Sequence, residues 1–185
     1  MNNRTKKLLA DKLEQLAKIK LIKDIQIKEL CEACELERTT FYYHFCDKYE
    51  LVSWIFEQMF LSESKNSSII NSEEMIKKMF LRMEQKKEFF ANALQDSSQN
   101  NLRQYMLDFY IESEEKVLKE YLKINELDED LDYTVKNYSY GCMGLTIEWL
   151  LDKCSYTPEK LAYHQYRLMP EILKEAYKNN EKEAL

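Results

Sequence analysis

An all-α fold is what this sequence predicts, on three observations. The 185-residue chain has only 2 Gly and 2 Pro, so turn punctuation is sparse. Leu, Lys, Glu and Met dominate, and these are good helix formers. Apolar residues recur at helical spacing, and no stretch alternates with the period of a strand. With 45% hydrophobic and 32% charged residues, the chain can bury the core of one or two small domains.

Residues 4–20 read as an amphipathic helix, with Leu9, Leu13, Leu16 and Lys20 on one stripe, Ala17 beside it, and a basic face opposite. "LIKDIQ" follows as a connector, and Asp24 to Gln26 start a short helix over 27–34. A tight break near Glu35, Leu36 and Glu37 precedes a third short helix over 38–44. Asp47 is a candidate N-cap for a long helix from Lys48, with Leu51, Trp54, Ile55, Gln58 and Met59 at helical spacing. The polar stretches at 62–74 and 95–101 read as joints, with a helix starting near 73 between them. Helices over about 101–122 and 130–153 follow, and the last runs over 158–178, with Thr157 as cap and Pro158 in its first turn. The tail after 178 is expected to fray.

Charge is unevenly spread. The formal net charge is −6, yet residues 1–23 carry seven Lys/Arg against Asp11 and Glu14. A basic front on an acidic body allows phosphate binding at one end, or is a solvated helix face. No apolar run approaches the ~18 residues of a membrane span. The basic N-terminus also lacks the continuous apolar stretch of a signal peptide. A soluble, cytoplasmic protein with no membrane partner is therefore expected. Five cysteines without a signal peptide argue for reduced thiols.

Three readings fail on spacing or context. Cys31 and Cys34 lack a second pair for zinc and a strand–helix context for redox work, so they read as core. Asp128, Asp130 and Asp132 mimic the start of a calcium loop, but Tyr133 and Ser139 stand where Gly and Glu are needed. An enzyme would need a base, a nucleophile and a phosphate or oxyanion site; there is no Gly-rich loop, and the histidines are His44 and His164 alone. No catalytic residue, metal or cofactor is expected.

Two short helices with a tight turn, braced by a first helix, are the parts of a helix-turn-helix. The second helix of such a pair enters the major groove and presents short polar groups near its start, where Arg38, Thr39 and Thr40 stand. Arg pairs with guanine, and Thr meets a base edge, a methyl or a phosphate. Tyr42, His44 and Lys48 follow as phosphate donors. Phe41 and Phe45, four apart, share a face that points inward, with Tyr43 at its boundary.

"IKELCEACELERTTFYYHFCDKYEL" resembles the DNA-binding domain of the TetR family of bacterial transcriptional regulators. Thr40, Phe41, Tyr42, His44, Phe45, Lys48 and Leu51 match the family pattern with its spacing, over about residues 5–55. Two positions depart from it: Glu35 stands where the family usually has Gly in the turn, and Glu37 where it favours Ser as cap. The resemblance implies phosphate roles for Thr40, Tyr42, His44 and Lys48 and base roles for Arg38 and Thr39. Gln26 and Lys28 support them from the second helix, and Tyr43 completes the DNA-facing set. It further implies residues 1–47 as a DNA-binding domain and 48–185 as a helical dimerisation and effector domain. The partners expected are a double-stranded DNA operator and a second copy. The effector is a small molecule or a kinase-like protein, since "KKEFFANALQDSSQNNLRQYM" and "GCMGLTIEWLL" are similar to the subgroup tied to dihydroxyacetone kinase operons.

The resemblance places dimerisation on the last two long helices, at Gly141, Leu145, Glu148, Trp149, Asp152, Leu161, Leu168 and Ile172; the same small and aromatic residues also suit packing within one chain. An effector pocket would be lined by Met79, Phe80, Met83, Phe90, Phe109, Tyr110, Tyr138 and Met143, a stripe that equally suits a core. The different reading is a helical interaction adaptor with weak or no DNA binding.

Overall fold

The computed structural model describes residues 2–64, 73–95 and 102–183. Among these residues all regular structure is helical: α1 (Asn2–Ala17), a 3-10 turn (Ile22–Asp24), α2 (Ile27–Ala33), α3 (Arg38–His44), α4 (Lys48–Ser64), α5 (Glu73–Gln85), α6 (Lys87–Leu94), α7 (Leu102–Leu122), α8 (Glu129–Leu150), α9 (Pro158–Leu168) and α10 (Glu171–Glu183). The predicted joints at 62–74 and 95–101 lie largely outside the described residues.

The chain forms two compact units, residues 1–58 with 86–105 and residues 59–85 with 106–185. In the first, α2 packs against α1 and α3, and α6 against α1 and the 3-10 turn. Its core takes Leu9, Leu13, Ile22, Ile25, Leu30, Phe41, Phe45, Phe56 and Phe90, all buried. Phe56 meets Phe90 edge-on, with ring centroids 6.2 Å apart. Cys31 and Cys34 are buried, and desolvation pushes both thiols up. They are core residues, with Cys34 Sγ 3.8 Å from the Leu8 carbonyl.

Helix starts follow local chemistry. Asp47 Oδ1 accepts the Tyr49 and Glu50 N–H groups, both at 2.8 Å, and Glu50 reaches back to the Cys46 N–H at 2.5 Å. Asp128 Oδ1 accepts the Leu131 N–H at 2.9 Å, and Asp132 pairs with Lys136, so this acidic run serves the start of α8. Thr157 Oγ1 accepts the Lys160 N–H with Pro158 in the first turn of α9.

Two helix breaks differ from the sequence reading. The stretch from 73 is divided at Lys86, whose φ of −114° and ψ of 18° are not helical. The last helix, expected to run unbroken over 158–178, stops at Leu168, because Pro170 cannot donate a backbone bond and forces Met169 to an extended ψ of 131°. A new helix then runs to Glu183, past the point where fraying was expected.

In the second unit α5 packs along α9, and Phe80 meets Trp149 edge-on with centroids 5.6 Å apart. A buried polar seam joins α8 to α9. Tyr138 Oη donates to the Gln165 carbonyl at 3.0 Å, and Gln165 Nε2 donates to the Cys142 carbonyl at 3.3 Å and Thr146 Oγ1 at 3.2 Å. Nearby, the buried Glu114 of α7 accepts the Tyr177 hydroxyl of α10 at 2.8 Å. Burial raises its carboxyl to about 7, against the lowering effect of the Tyr177 bond. The groups around it are Tyr110 on α7, Tyr138 and Cys142 on α8, and Tyr177.

Glu114 therefore links stability to pH. Its folded carboxyl keeps its proton up to about pH 7, whereas the unfolded one releases it near 4.5. The folded state binds more protons between these values, so stability is fully present below 4.5 and lost as pH rises through 7. Urea melts of wild type and Glu114→Gln should diverge in the variant's favour by roughly 3 kcal/mol between pH 4.5 and pH 8. A stability difference that does not change with pH would remove this role.

Candidate nucleic-acid interface

The interface is built from the turn outward. Helix α2 ends at Ala33, and the Leu36 N–H returns to the Cys31 carbonyl at 2.9 Å while the Glu35 N–H meets the Glu32 carbonyl at 3.1 Å. These two bonds form a Schellman motif, whose left-handed residue is Glu35 at φ 56°. The turn thus keeps its tight geometry with a carboxylate residue in place of glycine. Glu37 holds the N-cap position of α3 in an extended conformation, with no side-chain cap bond.

Helix α3 divides into two faces. Phe41 and Phe45 are buried, 5.9 Å apart by ring centroids, and Phe45 stacks edge-on against Trp54 of α4. Lys6 of α1 lays its ammonium over both rings, 4.9 Å from Phe45 and 5.9 Å from Trp54. The opposite face carries Arg38, Thr39, Tyr42 and Tyr43, all exposed. Tyr43, expected at the boundary, is instead 79% exposed. Arg38 lies along Tyr42, its Nη2 3.4 Å from the hydroxyl and its guanidinium 5.9 Å from the ring centre.

The remaining residues of the set are placed differently. Thr40 and His44 are half-buried, and His44 Nδ1 has no hydrogen-bond partner among the described residues. Lys48 Nζ donates to the carbonyls of Lys23 at 2.5 Å and Ile25 at 2.9 Å. Its charge therefore serves the connector before α2. Gln26 is the exposed N-cap of α2, and Lys28 is exposed one turn on, 3.7 Å from Glu32.

The second unit brings together only part of the other expected sets. Met79, Phe80, Met83 and Met143 are buried in its core, Phe109 meets Phe60 edge-on, Tyr110 meets Phe60 as well, and Phe90 belongs to the first unit. Of the eight, Tyr138 lines a surface groove of about 500 Å³ between α8 and α9, with Asn137, Gly141, Leu145, His164 and Leu168. Gly141, Leu145, Leu161 and Leu168 of the expected dimer set also line it. Leu168 is 70% exposed, whereas Trp149 is 2% exposed and packs on Phe80 inside the unit. Glu148 and Asp152 are exposed, the latter with φ 57°, and Ile172 is half-buried. The sequence reading missed Tyr156, His164 and Gln165 of the groove; the spacing of Leu161, Gln165 and Leu168 along one face was the available signal.

Helices α1, α2 and α3, the last with an exposed polar face, have the arrangement of a helix-turn-helix. Residues 70–171, more than half of the chain, match the family described as the transcriptional regulator C-terminal region of TetR type. The chain belongs to the TetR family of transcriptional regulators. A solved structure titled "Dihydroxyacetone kinase operon activator DhaS" shares the fold, with a TM-score of 0.65 and 20% identity over 92% of this chain and 96% of that one. No curated protein sequence matches the chain.

The strained turn yields a direct test. A non-glycine residue in the left-handed region costs roughly 1 kcal/mol. Glu35→Gly should relieve it and raise the urea midpoint, with a gain in stability of up to about 1 kcal/mol less the entropy glycine adds to the unfolded chain. A midpoint that falls would mean the Glu35 side chain stabilises the turn in a way that outweighs its backbone strain.

Proposed function

We propose that the chain binds a palindromic DNA operator as a homodimer and regulates transcription in response to an effector. Residues 1–47 act as the DNA-binding domain and 48–185 as the dimerisation and effector domain. The carrying observation is the outward face of α3, where Arg38, Thr39, Tyr42 and Tyr43 stand exposed beyond a tight turn while Phe41 and Phe45 anchor the helix from behind. Arg38 and Thr39 read base edges, and Thr40, Tyr42, Tyr43 and His44 meet phosphates, with Gln26 and Lys28 beside them. Lys48 contributes a phosphate contact from the same ammonium that holds the connector, and its backbone bonds fix where that charge stands.

Dimerisation through α8 and α9 is supported by the groove that Gly141, Leu145, Leu161 and Leu168 line. Gly141 and Gly144 have nothing within 4 Å of an added Cβ, so none of the described residues needs them to be small. Each costs a helix about 1 kcal/mol relative to alanine. A second copy approaching the open backbone of α8 accounts for both. The effector is a small molecule or a kinase-like protein. The filled core around Met79, Phe80, Met83 and Met143 favours the protein, as does the name of the structural neighbour, an activator of a kinase operon.

Selection of bound duplexes from a random pool tests the reading, and a palindromic consensus is the expected result. Enrichment of nothing, with no binding even at low salt, would favour the adaptor. On the selected duplex, Arg38→Ala should cost about 1–3 kcal/mol and relax preference at one base pair per half-site. A uniform loss over all sequences would assign Arg38 to the phosphates instead. Leu168→Glu should shift the protein toward monomer in sedimentation; an unchanged dimer would move the interface elsewhere.

A further inference from the structure

In the connector between α1 and α2, residues 18–26, the Lys18, Ile19, Lys20, Asp24 and Ile25 N–H groups close on carbonyls three or four residues back, but the Ile22 N–H does not. The connector's upstream end is held by one side chain from far along the chain. Asn92, on α6, accepts the Ile22 N–H through Oδ1 at 2.9 Å. Its Nδ2 donates to the Ala17 carbonyl and to the Lys20 carbonyl, each at 3.0 Å. Ala17 is the last residue of α1 and Ile22 the first of the 3-10 turn, so a single amide closes both sides of the bend.

The downstream end is held by Lys48 through the Lys23 and Ile25 carbonyls. Lys20 ties the bend to α2 through Glu29 at 2.6 Å, and Lys86 ties the start of α6 to Glu14 of α1. Ile22 and Ile25 fill the space between, both buried. The bend therefore has no slack, and α2 leaves it in one direction. Helix α3 follows after a turn that is itself fixed by two backbone bonds.

The chemistry at position 92 demands an amide. One oxygen must accept and one nitrogen must donate twice, at opposite ends of the same short side chain. Aspartate could keep the accepted bond but would set a carboxylate against two carbonyl oxygens. Alanine would remove the partner of all three backbone groups.

We propose that Asn92 is a positioning residue for the DNA-binding surface: it sets the bend between α1 and α2, and through it the placement of α2 and α3, without touching DNA. The proposal rests on the DNA-binding reading above. It separates geometry from charge, because Asn92 supplies no contact to a phosphate and removes no counterion.

The test compares wild type, Asn92→Ala and Asn92→Asp on the duplex that wild type selects, over a salt titration, with amide exchange at Ile22 as a second readout. Both variants should keep their helical content, lose protection at the Ile22 N–H, and bind about tenfold or more weakly. For Asn92→Ala, which changes no charge, the slope of log affinity against log salt should stay at the wild-type value, whereas loss of a phosphate contact lowers it by roughly one unit. Binding within twofold of wild type would overturn the proposal, as would a reduced salt slope for Asn92→Ala. Loss of helical content in both variants would make Asn92 a residue of general folding and would equally overturn it. If wild type itself selects no duplex, the DNA-binding reading falls and the positioning role with it; if wild type binds and the variants match it, the positioning role falls alone.

Discussion

Burial of two phenylalanines decides what α3 can present. A helix of seven residues does not persist alone in water, since nucleation costs more than so few bonds return. Phe41 and Phe45 supply the missing stabilisation, each on the order of 2–3 kcal/mol for full burial. Once both point inward, rotation about the helix axis is no longer free. Arg38, Thr39, Tyr42 and Tyr43 are then forced outward together, and their exposure follows from the anchor as much as from their own polarity. Trp54 and the Lys6 ammonium close over the same anchor, so α1 and α4 help to hold α3 in place.

Much of this was legible in the sequence, for a local reason. Helices α2 and α3 lie almost where cap signals and four-residue aromatic spacing put them, because those signals act within a single turn. The Asp47 and Thr157 caps act over two or three residues and were equally readable. What could not be read acts over distance. Asn92 stands in "FFANAL" like any polar residue on a helix, and its three partners lie some seventy positions earlier. Glu114 sits in a charged row that suggests solvent, yet its partner Tyr177 lies 63 positions on. Pro170 is a readable breaker, but the apolar repeat of Leu161, Leu168 and Ile172 continues across it and masks the break.

The candidate site shows the same division. The outward set on α3 is a matter of helical phase, which sequence gives directly. Lys48 is not, because its position in the motif does not reveal that two connector carbonyls accept hydrogen bonds from its ammonium. The aromatic and methionine stripe of the second unit was ambiguous between cavity and core. Spacing alone cannot separate them, since both place large apolar groups on an inward face. Phe80 is buried, and its ring meets Trp149 edge-on at 90°.

The use of glycine bears on the proposed dimer. Three helices, α2, α7 and α8, end with the chain in the left-handed region at Glu35, Lys123 and Asp152, where glycine would relieve strain. After each, a backbone N–H returns to the carbonyl five residues back: Leu36 to Cys31, Ile124 to Lys119 and Lys153 to Glu148. The two glycines the chain does have are absent from all three positions. Both stand inside α8, exposed, with open space where a Cβ would go. Within one copy this distribution is doubly unfavourable, with strain at the turns and weakened propensity in a long helix. It becomes reasonable if the exposed backbone of α8 is met closely by another helix. The groove beside it, with Leu145 and Leu168 at its edge, supplies an apolar surface for that helix to cover.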